Sequence, residues 1–267
     1  MKFFNNEKNL LEYFRGVDSE EVMLIPNVKE TSMIFQSVKC PKNWEKWTDS
    51  SHKGALPPDY FCNEFKLMME IMRVDDKSRQ NEKGRIVNPT IERESRIELE
   101  IRKKINISAN SHVLVVGANT DLPTYDNHNY IFYRKNFKRV LDKHKEKIQN
   151  YKKNHPSFKL IFFVMDESTG YFEDRTSLAA ERGFVGGEMF IGTPHFHFLD
   201  DAFVGQFLNC EIDYLIWWTP WKLVDTTDGI IPFPRAVVID IKKFFQDKKN
   251  YQKVLKYDER HMFSSEM

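Results

Sequence analysis

Two acids and a lysine near the C-terminus have the types and spacing to do chemistry. Asp228 stands beside Gly229, and Asp240 and Lys242 follow in Ala236-Val237-Val238-Ile239-Asp240-Ile241-Lys242. The run from Ala236 to Ile241 is small and β-branched, as in a buried strand. Residues two apart on a strand face the same side, so Asp240 and Lys242 are expected to share a face. A carboxylate and an ammonium on an apolar strand are costly unless they pair, bind something or surface at the strand's end. One metal ion could use all three groups, because Mg²⁺ prefers hard oxygen ligands and keeps waters, one of which can attack a phosphodiester. The competing reading is a core strand whose polar end opens a surface helix, with Lys242 and Lys243 as its solvated first turn.

The same stretch resembles the PD-(D/E)XK nuclease family, whose signature is an acid, a spacer, then Asp or Glu, any residue, and Lys. Here the spacing is 240 − 228 = 12 positions, followed by Asp240-Ile241-Lys242. The resemblance implies Mg²⁺ held by Asp228 and Asp240 with help from the Ile241 carbonyl, Lys242 beside the attacking water, and nucleic acid as substrate. It also implies a helical Glu completing the site, for which Glu64 precedes the strands in the expected order. Thr227 stands where the family usually has Pro, and 267 − 242 = 25 residues follow the lysine, room for a helix but not for a further strand.

Glu64 is read on a helix from Asp59 to Arg73, where Phe61, Phe65, Met68, Met69 and Met72 fall at helical spacing. Its neighbours there would be Tyr60, Phe61, Leu67 and Met68, which make it either a buried acid of raised pKa, an acid facing a cleft, or a surface residue on the helix flank. A second candidate site lies at Asp121 and Asp166-Glu167, which follow apolar runs read as parallel strands. Ligands of open α/β sheets bind where such strands deliver their C-terminal ends. A third is His195-Phe196-His197-Phe198-Leu199-Asp200-Asp201, whose residue types suit Zn²⁺ or Fe²⁺ in a metallohydrolase. Trp217, Trp218 and Trp221, with the lysines of the last helix, instead suit a non-catalytic interaction protein. Strand alternation nonetheless sends Trp217 and Trp218 to opposite faces. A Gly-x-Ser-x-Gly elbow and a dinucleotide or Walker fingerprint are both absent.

The elements that must position these residues read as α/β: a mixed, partly parallel sheet flanked by helices, after a smaller, mostly helical N-terminal part. Residues 1–90 and 91–267 are the expected parts, divided at the polar segment Asp75 to Thr90 or continuous as one domain. Buried strands are expected at His112–Gly117, Lys159–Met165, Asp213–Trp218 and Arg235–Ile241. A long helix through Phe137, Val140, Leu141, His144, Ile148 and Tyr151 should join the first two as a βαβ unit. A charged helix is expected over Ile91–Lys104. The 267 residues include 14% aromatics, which suits a packed globular protein. The balance of 40 basic and 39 acidic residues excludes a globally basic nucleic-acid binder. Cys40, Cys62 and Cys210 lack metal or disulfide spacing. With no membrane-length apolar run, the expectation is a soluble, cytoplasmic protein.

Overall fold

The computed structural model describes residues 7–50, 58–89, 92, 95–97, 99–100, 128–174, 181–185, 188–220, 222, 224–226, 229–231, 233–247 and 254–265. The Glu7–Arg15 helix precedes β1 (Val22–Ile25), helices Lys29–Lys39 and Pro41–Trp44, β2 (Thr48–Asp49), β3 (Tyr60–Cys62), β4 (Leu67–Val74) and the short pair β5 (Arg79–Gln80) and β6 (Ile86–Val87). Helices Tyr130–Lys145 and Ile148–Asn154 lead to β7 (Lys159–Asp166), β8 (Tyr171–Asp174), β9 (Glu181–Val185) and β10 (Glu188–Pro194). The rest comprises helix Asp201–Val204, β11 (Tyr214–Trp218), β12 (Val224–Thr226), β13 (Gly229–Ile231), β14 (Ala236–Asp240), helix Ile241–Gln246 and β15 (Met262–Ser264).

A seven-stranded mixed sheet in the order β1-β14-β11-β7-β4-β3-β2 forms the centre, and β13-β12-β9-β10-β8-β15 form a second sheet. Strands β4, β7 and β11 run parallel, and β14 runs antiparallel to β11. Alternation along β7 builds two cores. Leu160, Phe162 and Val164 pack with Tyr133, Phe137 and Leu141 of the Tyr130–Lys145 helix on one face. Ile161, Phe163 and Met165 pack with Leu10, Phe14, Ile34 and Phe35 of the first two helices on the other. Each such side chain contributes roughly 1.5–3 kcal/mol on burial, which fixes the strand's register and the position of its C-terminal residue, Asp166.

The architecture is the mixed α/β arrangement read from the sequence, and strands at 159–166, 214–218 and 236–240 lie where expected. The N-terminal residues supply helices and also strands β1 to β4, which join the same central sheet. The helix expected over Asp59–Arg73 is instead β3, a turn and β4. Leu67 to Met72 are all buried, because helices cover both faces of β4. A strand buried on both sides shows no alternation, and its methionines fall at helical spacing by coincidence. The expected long helix is broken into two, at Lys145 and Ile148. The strand expected at His112–Gly117, most of the Ile91–Lys104 helix, Asp121, Trp221 and Asp228 lie outside the described residues.

Candidate active site at the ends of the parallel strands

Of the nuclease-like residues, Asp240, Lys242 and Glu64 are described, and Asp240 and Lys242 do not share a strand face. Asp240 ends β14 and caps the Ile241–Gln246 helix, its Oδ1 accepting from the Lys243 backbone N–H at 3.0 Å. The chain is already helical at Lys242, so the two-residue strand rule does not apply. Lys242 projects into solvent and reaches Asp213 at 3.3 Å. Glu64 lies in the exposed turn between β3 and β4, not on a helix, and pairs with Lys46 at 2.6 Å. No group of three His, Cys, Asp or Glu side chains among the described residues is arranged to hold a metal ion. Asp213 and Asp240 Oδ1 accept protein donors, and Asp228, the other expected ligand, lies outside the described residues.

The opposite edge, where β4, β7 and β11 end, carries a buried polar cluster. Asp166, the last residue of β7, is fully buried. Its Oδ1 accepts from the Ser168 N–H at 3.0 Å and the Ser168 hydroxyl at 2.6 Å. Its Oδ2 accepts from Trp217 Nε1 at 3.0 Å and from the Tyr133 hydroxyl, and lies 3.0 Å from Lys222 Nζ. Lys222, in the connection after β11, also donates to the Tyr133 oxygen at 3.1 Å and sits 4.6 Å from that ring's centroid. Burial pushes the lysine's pKa down, against the opposing pull of Asp166, Asp76 and Asp200. Burial and the Asp166 charge push Tyr133 well up, so its hydroxyl stays a donor.

Two further carboxylates complete the cluster. Asp200 Oδ1 accepts from the Ala202 N–H at 2.9 Å, capping the Asp201–Val204 helix. Its Oδ2 meets the Tyr130 hydroxyl at 2.5 Å and His195 Nε2 at 2.7 Å. The second bond puts the proton of a neutral His195 on Nε2 and leaves Nδ1 as an acceptor. Burial lowers the His195 pKa and Asp200 opposes it only in part, so the ring is a free base near neutral pH. Asp76 Oδ2 holds His128 Nδ1 at 2.9 Å, the Tyr171 hydroxyl at 2.7 Å and the Thr169 N–H at 3.1 Å.

Among the described residues, the buried atoms without a hydrogen-bond partner include Asp76 Oδ1, His195 Nδ1 and both ring nitrogens of His197. His197 lies against Trp217, with ring centroids 4.7 Å apart, and burial drives its pKa well down. Buried polar atoms are almost always paired, so a concentration of exceptions calls for a ligand or water. Of the expected metallohydrolase residues, His195 and Asp200 meet, whereas His197, on a short 3-10 turn after β10, hydrogen-bonds neither.

Asp166 belonged to the second expected site and is central here. Its neighbour Glu167 turns to Arg73 at 2.6 Å, and burial nevertheless raises its pKa. Lys222, Tyr133, Tyr130, His128 and Asp76 went unrecognised. The signal for Lys222 was present, since it follows a strand parallel to β7 and the strand-end rule applies equally there. Asp76 sits in a polar run that reads as a surface loop, yet it is fully buried. Trp217 and Trp218 lie on opposite faces as expected, and both are buried. Comparison with family models, with curated proteins and with solved structures found no match to this chain.

Proposed function

We propose that the protein is an enzyme that transfers protons to and from a small polar molecule at the C-terminal ends of β4, β7 and β11. His195 is the base, Asp200 orients it, and Lys222 with Tyr133 stabilises negative charge that develops on the substrate. The observation that carries this reading is the His195–Asp200 bond, which leaves a buried His195 Nδ1 without a hydrogen-bond partner in a cluster that also holds a buried lysine. A base within hydrogen-bond reach of an orienting carboxylate is the recurring arrangement of proton-transfer sites. Burial also strengthens the attraction between the Lys222 ammonium and an oxyanion.

The test is deuterium uptake. Small carbonyl compounds are incubated with the protein in D₂O and their C–H signals followed by NMR. Wild type is expected to exchange the hydrogens next to a carbonyl, and His195→Gln to lose about 10²-fold or more in rate. Equal rates in the two proteins, both folded by circular dichroism, would remove His195 from the role.

Mg²⁺-dependent phosphodiester hydrolysis of nucleic acid by Asp228, Asp240, Lys242 and Glu64 stands as a separate proposal. Its support is the gathering of Asp240, Lys242 and Asp213 at the opposite sheet edge. Asp240→Asn keeps a capping side chain and removes the charge. Mg²⁺-dependent cleavage by wild type that this variant lacks would favour the proposal, and equal cleavage would end it.

A further inference from the structure

We infer that Lys222 forms an imine with the carbonyl carbon of an uncharged hydroxy-carbonyl compound, and that His195 removes a proton from this adduct. The inference rests on the acid–base reading above and names its substrate class. Lys222 is buried, held between Asp166 at 3.0 Å and the Tyr133 oxygen at 3.1 Å. A lysine so desolvated is a recognised nucleophile toward carbonyl carbon once it gives up a proton, and the Asp166 carboxylate lies 3.0 Å away, within reach of that proton.

The step balances within the cluster. The ammonium passes one proton to Asp166, and the freed lone pair forms the C–N bond while the carbonyl π pair moves to oxygen. That oxygen takes a proton from the new C–N nitrogen. The proton held by Asp166 then goes to the hydroxyl, the C–O bond breaks and water leaves. The sum is one ammonium plus one carbonyl giving one protonated imine plus one water. Nitrogen carries a single positive charge before and after, so the buried Asp166 carboxylate keeps its counter-charge, which is costly to remove. The protonated imine then draws electrons from the adjacent C–H bond as its proton moves to His195 Nδ1.

Charge and hydrogen bonding select the substrate. Asp76, Asp166 and Asp200 already outnumber Lys222, and His195 and His197 are held toward their neutral forms. An anionic substrate would add to this excess. The unpartnered Asp76 oxygen accepts a hydroxyl proton, and neutral His197 offers one donor and one acceptor.

The protein is incubated with dihydroxyacetone, glycolaldehyde or pyruvate, reduced with borohydride and peptide-mapped by mass spectrometry, with deuterium uptake measured in parallel. The two uncharged compounds are expected to label Lys222 at least about tenfold above the exposed Lys138 and above pyruvate, as a selected nucleophile should be. In a folded Lys222→Arg variant the adduct should vanish. Labelling of Lys222 no greater than that of Lys138, or equal labelling by pyruvate, overturns the inference. Deuterium uptake without a Lys222 adduct overturns the imine and leaves the acid–base reading in place, whereas absence of both overturns the two together. The wild-type map decides alone if Lys222→Arg does not fold.

Discussion

Lys222 and Asp166, buried together, contribute little net stability even at 3.0 Å, because each lost its hydration on folding. Removing one partner is a different matter. Lys222→Met is expected to destabilise by about 3 kcal/mol, the low end for a broken buried pair, because Tyr133, Trp217 and Ser168 still donate to the carboxylate. Lys222→Met with Asp166→Leu should be less stable still, because Tyr133, Trp217 and Ser168 then lose their buried acceptor. Urea unfolding of the two variants measures it, and a double variant as stable as Lys222→Met would show that those donors find other partners. His197 is a sharper separator of stability from function. Its ring packs on Trp217 with no hydrogen bond, so His197→Phe should fold as well as wild type and still lose substrate binding.

At the scale of elements, Asp240 shows how one carboxylate at a strand's end serves the helix that follows. It caps the Ile241–Gln246 helix through the Lys243 N–H. Asp240→Ala is expected to cost about 1 kcal/mol, while Asp240→Asn, a comparably good cap, should cost a few tenths. Thermal unfolding of both variants checks this, and equal losses would mean that the charge matters more than the cap. The element boundary also explains why the strand reading misplaced Lys242. A strand that turns into a helix at its last residue changes the side-chain period from 2 to 3.6, and Ile241 has no side-chain feature that announces the change. For β4 the obstacle was burial on both faces, which erases alternation, whereas β7, β11 and β14 were recognisable from runs of Ile, Val, Phe and Leu.

Across the whole molecule, pH should act through the buried histidines. The folded pKa values of His195 and His197 lie below the usual 6.5. As pH falls through 6.5 the unfolded chain therefore binds protons that the folded chain does not. Their contribution is present above the unfolded pKa and lost as pH drops below it, by up to about 1.4 kcal/mol per pH unit for each ring. Glu70 adds a second loss at lower pH. Burial would raise its pKa, but hydrogen bonds from His144 and Tyr151 and the nearby charges outweigh this, so its contribution is lost as pH falls below 4.5. Unfolding free energies between pH 7.5 and 5 should fall less steeply for His197→Phe than for wild type, and identical slopes would show that His197 takes up its proton in the folded state. The candidate site was legible in part. Asp166 follows from the rule of parallel strand ends, but Lys222, Tyr133 and Asp76 become partners only when the Tyr130–Lys145 helix and the second sheet close over that edge, a meeting of distant segments that no local pattern records.

The central claim is that the cluster holds a lysine ready to release its proton. The ionisation of Lys222 tests it most directly, followed by NMR of protein labelled with ¹³C at the lysine Cε and assigned with Lys222→Arg. The account predicts that Lys222 titrates below the usual 10.5. A Lys222 that stays charged to above 10.5 would be a fixed ammonium, able to stabilise an oxyanion but not to form an imine, and that result would contradict the imine chemistry.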